Sequence, residues 1–496
     1  MSRVIAAVTF HADRTPRAIA IEGDSRTLDY ATLIAEVIIL ADSLRTTGCG
    51  VAGLLADNGP DWAIADLACL AADIPLVPLP TFFSPAQLEH VIRQAGIDLI
   101  LTDRPQALGA DSSPLFCSGA LTALRLGTTA ATLPAGTAKI TFTSGTTGTP
   151  KGVCLSLEGM ETVAESLRKA SAAHPGDRHL SLLPLSTLLE NIAGLYVPLL
   201  AGASTRLLPG ESVGLAGSSG VAPARMLSAL SSARASSAIL VPQLLLALLA
   251  ALRAGAPRPT QLRYVAVGGA PLSLRLLADA ARLGVPVFEG YGLSECGSVV
   301  AVNRPGDTRI GSVGRPLEHL AVAIGDKGAI RVRGAAFLGY LGEAPHAGVW
   351  VDTGDLGYLD DDGRLHLTGR QKNMFITAFG RNVAPEWVER ELLLQSPIAQ
   401  AAVFGEGRSF NMAVIVARGN ASNDAIDAAI ATANLDLPDY ARIGAWIRAS
   451  APFTAGNAQL TANGRPRREA IGSAYADAID QTYPTEQAKE DHGLLC

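Results

Sequence analysis

Apolar positions recur at three- and four-residue spacing from Ala31 to Thr46, behind Thr27-Leu28-Asp29-Tyr30, and this period predicts a helix. The run Gly50-Val51-Ala52-Gly53-Leu54-Leu55 then predicts a strand, Asp61 to Ala71 a helix, and Ile74-Pro75-Leu76-Val77-Pro78-Leu79 a second buried strand. Ala138-Lys139-Ile140-Thr141-Phe142 and Val153-Cys154-Leu155-Ser156 alternate as two strands joined by a hairpin-like loop, followed by a helix from Gly159 to Ala172. Leu180 to Leu185 predicts a strand that runs into a polar turn, Ser186 to Asn191. The Gly/Ser-rich segment from Pro209 to Gly220 reads as a surface loop, and Ala238 to Leu252 as a strand end followed by a buried helix. Tyr264-Val265-Ala266-Val267 and Val285-Pro286-Val287-Phe288 complete the pattern as buried strands, each ending in glycines. Such alternation of helix and strand predicts an α/β fold whose sheet is covered on both faces.

With 496 residues, 48% of them hydrophobic, the chain is long enough for a large core and two or three domains. A formal net charge of -6 and scattered Lys and Arg argue against a nucleic-acid partner. Its six cysteines form no C-x-x-C pair, so neither a zinc site nor a disulfide framework is expected, and a reducing cytoplasm fits. The first residues turn polar too soon for a signal peptide. The apolar run to Leu252 is broken by Pro242 and Gln243 and falls short of the ~20 residues of a membrane span, so no integral membrane segment is expected.

Candidate chemistry concentrates in Thr141-Phe142-Thr143-Ser144-Gly145-Thr146-Thr147-Gly148-Thr149-Pro150-Lys151-Gly152. Glycines here let backbone N–H groups converge on anionic oxygens, the hydroxyls add donors, and Lys151 adds a compact charge, so the loop is suited to phosphate. A flexible Gly/Ser/Thr linker is the alternative, against which the flanking strands argue. No G-x-x-x-x-G-K-[ST] occurs in this loop, which excludes a P-loop. Gly268-Gly269-Ala270-Pro271 and Glu289-Gly290-Tyr291-Gly292-Leu293-Ser294-Glu295 lie at strand ends, where open α/β sheets bind ligands. Glu295 is a candidate Mg2+ ligand, or else an acid favoured at a helix start. Asp355, in Thr353-Gly354-Asp355, reads as a turn carboxylate able to accept from a ribose diol, while Asp352, Asp360, Asp361 and Asp362 read as solvated turn residues.

Taken in order with Gly369-Arg370-Gln371-Lys372 and Gly380-Arg381-Asn382-Val383-Ala384-Pro385-Glu386, these motifs resemble the adenylate-forming superfamily of acyl-CoA synthetases, carrier-protein adenylation domains and luciferase-like enzymes. The resemblance implies a large multi-sheet N-terminal α/β domain over residues 1–370 and a small, mobile α+β C-terminal domain over 371–480, with a tail over 481–496. Lys372 falls at the hinge. By resemblance, Thr143, Ser144, Gly145, Thr146, Thr147, Gly148 and Lys151 contact the ATP phosphates and Glu295 holds Mg2+. Asp355 and Arg370 then bind ribose hydroxyls, while Gly269, Ala270, Tyr291, Gly292 and Ser294 border the adenine and the carboxylate. The implied catalytic set is Lys151, Glu295 and Arg465.

Pro184-Leu185-Ser186-Thr187-Leu188-Leu189-Glu190 looks like the long-chain fatty acid–CoA ligase version of its motif, which implies a fatty or other apolar acid as the small-molecule substrate. The expected pocket contributors are Thr187, Leu188, Leu189, Gly194, Leu195, Val241, Pro242 and Gly268. The implied reaction uses ATP, Mg2+ and CoA, with an acyl carrier protein or an amine as the other acceptors and an adenylate-binding protein as a reading from a different class. Three positions depart from the family pattern: Thr187 stands where the subgroup has histidine, Asn373 replaces an acid after the hinge, and Arg465 replaces the adenylation lysine.

Overall fold

The computed structural model describes residues 2–108, 113–129, 131–143, 151–216, 220–270, 272–461 and 465–483. Two large sheets dominate the first two thirds of the chain. The eight-stranded sheet is built around Ala52–Leu55, Leu76–Pro78, Thr137–Thr143 and Lys151–Ser156. The nine-stranded sheet has at its centre the parallel strands Arg178–Ser181, Ser237–Leu240, Tyr264–Val267 and Val287–Tyr291. Helices fill the space between the sheets. Pro60–Ala72 is almost wholly apolar and buries ten side chains, as expected of a helix covered on all sides. A smaller four-stranded sheet contains Trp350–Leu359 and Leu365–Arg370.

Local signals account for many of the boundaries. Asp29 caps Tyr30–Thr47 by accepting from Thr32 N–H, and Gly48 ends it in the left-handed conformation with φ 62°. Thr137–Thr143 and Lys151–Ser156 form an antiparallel pair with Thr143 opposite Lys151. Ser156 then caps Leu157–Ala170 directly, so one short segment links the hairpin to a helix of the interior.

A separate C-terminal domain pairs Ile398–Phe404, Asn411–Ala417 and Ile443–Arg448 in a three-stranded sheet. Helices Pro385–Leu393 and Asn423–Leu435 pack on it around a core of its own, including Val388, Leu392, Val403, Ile415 and Ile426. The observed architecture is thus the expected one, an α/β domain of several sheets followed by a smaller domain of sheet and helices. Among the described residues, no helix is long and apolar enough to cross a membrane.

A buried polar knot ties the eight-stranded sheet to the helices packed against it. Lys139 and Asp66 are both fully buried, with Lys139 Nζ 2.5 Å from Asp66 Oδ1 and 2.8 Å from Tyr196 Oη. Tyr196 donates to Asp66 Oδ2 at 2.6 Å, and Asn191 bonds both the lysine and the aspartate. Asn191 and Tyr196 bound a π-helical turn, Asn191–Tyr196, inserted between Leu188–Glu190 and Val197–Ala201.

Three expectations change. The strand read from Leu180 to Leu185 stops at Ser181, because Pro184 has no N–H and Asn58 takes over the backbone groups beyond, bonding Leu183 C=O and Leu185 N–H. The polar turn from Ser186 to Asn191 is largely helical from Leu188 onward. Asp355 is not in a turn: it lies inside Trp350–Leu359, paired in register with Arg370, after Gly354 has bent the strand at φ 71°.

Candidate functional site

Lys151 heads its strand half-exposed, with Nζ 3.2 Å from Glu343 Oε1 and 5.1 Å from the centroid of the Tyr340 ring. The Tyr340 hydroxyl donates to Glu295 Oε1 at 2.8 Å. One tyrosine therefore touches both the loop cation and the candidate metal carboxylate. Its phenol is pushed well up by burial and by the charge of Glu295, so it remains a donor. The readings on Ser144, Gly145, Thr146, Thr147 and Gly148 lie outside the described residues, and Thr143 is placed by its pairing opposite Lys151.

The second wall is carried by Val287–Tyr291 and the four-stranded sheet. Tyr291 donates to Asp355 Oδ2 at 2.7 Å, and Arg370 Nε donates to Asp355 Oδ1 at 2.8 Å. Each carboxylate oxygen thus has a protein donor in a position that is only 6% exposed. Gly292 admits no side chain, since a Cβ there would meet Ser298 C=O at 1.9 Å. That close approach holds the 3-10 turn Ser294–Cys296, and with it Ser294 and Glu295, against Tyr291.

Between the walls runs the loop after Tyr264–Val267. Gly268 N–H bonds Leu240 C=O, Gly269 is left-handed at φ 90°, and Ala270 is exposed. The loop is closed by Glu289, a buried carboxyl that accepts from Leu272 N–H at 3.1 Å. Burial raises Glu289 from 4.5 to about 7. Between those values the folded protein keeps a proton that the unfolded chain has lost, so stability is fully present below 4.5 and falls as pH rises through 7. A loss of about 3 kcal/mol over that window is expected, and Glu289→Gln should remove it. Urea unfolding at pH 5 and pH 8 checks this.

The C-terminal domain closes over this loop. Arg465 Nη2 donates to Gly269 C=O at 2.5 Å, across the cleft. Arg465 keeps solvent-exposed surface although protein atoms crowd its head group, and burial followed by the like charge of Arg370 lowers its pKa. Asp355 and Glu386 oppose that effect. A guanidinium keeps its charge in such surroundings. Lys372 is exposed just after the strand that ends at Arg370, Gln371 N–H bonds Gly354 C=O, and Asn373 bonds Glu386.

Beneath Gly268 and Gly290 lies a cavity of about 80 Å³, walled on one side by the parallel strands and on the other by Leu189, Ala193 and Val197. Those three recur every four residues and form the cavity face of the helical segment. Leu188 and Leu195 point elsewhere and are buried in the large core. Thr187 is half-buried at the helix start, and Val241 lies beside Gly269.

Sequence reasoning did not single out Tyr340, Glu343 or the role of Glu289. Tyr340 reaches the site because Phe337–Tyr340 pairs with Lys151–Ser156 at the sheet edge, a contact between segments nearly two hundred residues apart. The signal available was Gly339-Tyr340 closing a strand-like run.

The two-domain α/β frame and the two profiles that match it define the class, an adenylate-forming enzyme. The AMP-binding enzyme profile matches residues 8–341 and the AMP-binding enzyme C-terminal domain profile matches residues 372–487. The chain belongs to the AMP-binding enzyme family. It is 29% identical over 483 residues to a long-chain-fatty-acid–CoA ligase of Mycobacterium bovis, covering 80% of this chain and 76% of the relative. A 2-succinylbenzoate–CoA ligase of Bacillus licheniformis is 29% identical over 432 residues, covering 79% and 85% respectively. Among solved structures, an anthranilate CoA ligase in complex with anthranoyl-AMP superposes with a TM-score of 0.80 at 20% identity, covering 96% of this chain and 98% of that one. At that identity the likeness speaks to the fold.

Proposed function

We propose that the protein activates a carboxylic acid with ATP and then passes the acyl group to the thiol of CoA. In the first step a carboxylate oxygen of the acid bonds to the α-phosphorus, the bond to the bridging oxygen breaks and pyrophosphate leaves. In the second the thiol attacks the acyl carbon, its proton goes to solvent or a base, and AMP leaves. Catalysis of the first step is largely positioning and charge stabilisation.

The observation that carries this reading is Arg465 of the C-terminal domain reaching Gly269 C=O beside the Asp355–Arg370 pair. A cation there neutralises charge on the reacting carboxylate and phosphate, beside the charge that Lys151 supplies. Lys151 and the loop from Thr143 to Gly148 hold the departing phosphates. Asp355, with Arg370, accepts from the ribose, and Tyr291 and Gly292 border the adenine with Ala270 and Ser294. Glu295 suits Mg2+, since Tyr340 occupies one of its oxygens and the other has no protein partner among the described residues. When bound there, Mg2+ supplies charge to the phosphate oxygens. The domain boundary falls after Arg370, and Lys372 is the hinge about which the smaller domain turns to present the Gly380 loop for the thiol step.

The apolar lining of the cavity favours a fatty or related apolar acid, and needs for ATP and CoA fit the cytoplasm. Incubating the pure protein with ATP, Mg2+ and a panel of acids, with and without CoA, tests the reading by mass spectrometry of AMP and thioester. AMP with acyl-CoA is expected. AMP without acyl-CoA points to a carrier protein or an amine as acceptor, and ATP binding without AMP for any acid overturns the enzymatic reading.

A further inference from the structure

The cavity below Gly268 is apolar along its walls but not at its far end. Tyr264, Ala266 and Gly268 alternate onto one face of the same strand segment and all three line the cavity. Tyr264 thus lies four residues, about 13 Å, from the glycine loop at which the carboxylate is activated. The neighbouring strands place His179 opposite Ser237 and Ser237 opposite Tyr264 in register. Three hydrogen-bonding side chains therefore form one row across the floor, whereas the next row on that face is Ile239 and Ala266.

The three differ in what they have left to offer. His179 is engaged at both ring nitrogens, Nε2 to Glu190 Oε1 at 2.9 Å and Nδ1 to Ser237 Oγ at 3.0 Å. Glu190 is fully buried and its carboxylate accepts from His179 Nε2–H, so Nδ1 accepts from the Ser237 hydroxyl, whose one donor hydrogen is thereby used. Tyr264 is 7% exposed and its hydroxyl has no hydrogen-bond partner among the described residues. Its ring is fixed by stacking on Phe288, with centroids 4.5 Å apart. Buried tyrosines normally satisfy the hydroxyl, and this one is left open to the cavity it lines. Burial keeps the phenol protonated, and Arg263 beside it is paired with Asp177 at the same end of the cavity. A protonated phenol with no protein partner is matched by an acceptor oxygen.

We propose that the acid accepted by this pocket carries an acceptor oxygen at its far end, read by the Tyr264 hydroxyl, and is not a plain saturated chain. A ketone, an ether or a second carboxylate supplies that oxygen. The inference rests on the acid-activating reading above, and a floor built to pair with a substrate oxygen discriminates against the analogue that lacks it.

Matched acids of medium length test it: saturated, with a ketone next to the far end, and with a terminal carboxylate, each assayed for AMP formation with ATP, Mg2+ and CoA. The wild-type protein is expected to favour an oxygenated member over the saturated one by about ten-fold in kcat/KM. The ketone and dicarboxylate arms tell a neutral acceptor from a charged one. Tyr264→Phe keeps the ring and its stacking, and should bring the ratio of oxygenated to saturated acid close to one. Equal turnover of the matched acids by the wild type, or a preference that survives Tyr264→Phe, overturns the proposal while leaving the ligase reading in place. No AMP from any acid removes both.

Discussion

Arg465→Ala is expected to slow adenylate formation by about 10²- to 10³-fold, the usual effect of deleting one preorganised charge at a transition state. Thioester formation from supplied acyl-adenylate should be nearly intact, because Arg465 then has no leaving phosphate to meet. The contrast follows from its placement: the guanidinium spans the cleft to Gly269 C=O and shares its surroundings with Arg370, Asp355 and Glu386. ATP–pyrophosphate exchange reports the first half-reaction and rapid quench with purified adenylate the second. Equal slowing of both would refute the assignment. Arg465→Lys should restore part of the first rate, since an ammonium keeps the charge but not the planar fork that reaches a carbonyl and a phosphate oxygen together.

The other large effect lies away from the nucleotide. Lys139→Met should destabilise the N-terminal domain by about 3–5 kcal/mol, because it leaves Asp66 buried without its counter-charge. Both side chains are fully buried, so water cannot substitute for the lost partner. The urea midpoint of the domain reads this directly. Adding Asp66→Leu in the Lys139→Met background should recover much of the loss, as burying two apolar groups avoids the uncompensated charge. Recovery is expected to be incomplete, since Tyr196 and Asn191 each lose bonds to Asp66. A Lys139→Met variant as stable as the wild type would show that the knot contributes nothing net.

Much of the frame was legible because its signals are local. The period from Ala31 to Thr46 gave the helix Tyr30–Thr47 to within a residue at each end, and Tyr264 to Val267 is the strand as read. The hairpin around the phosphate-type loop was also legible, since both flanks alternate and the segment between them is rich in turn residues. Asp355 was misplaced because Thr-Gly-Asp is turn chemistry by composition, whereas pairing with Leu365–Arg370 draws it into a strand. Tyr340 and Glu343 were missed for the same reason in reverse: their partners Glu295 and Lys151 are set by sheet pairing, which one sequence does not print. The pocket was half legible. Of the apolar residues read near Thr187, Leu189 lines the cavity and Leu188 and Leu195 do not, since an ordinary helix period does not say which of them face it when the turn is a π-helix.

That turn also sets what this segment tolerates over evolutionary time. A π-helical turn holds about one residue more than an α-helical turn, so deleting one residue between Asn191 and Tyr196 would let the turn close as a regular α-helix while the residues on either side keep nearly their present angular positions. Glu190 would stay against His179 and Leu189 at the cavity. The loss would fall on what the turn itself holds, the bonds of Asn191 and Tyr196 to Asp66. What descendants of this chain must keep is therefore those two polar side chains, more than the length of the turn.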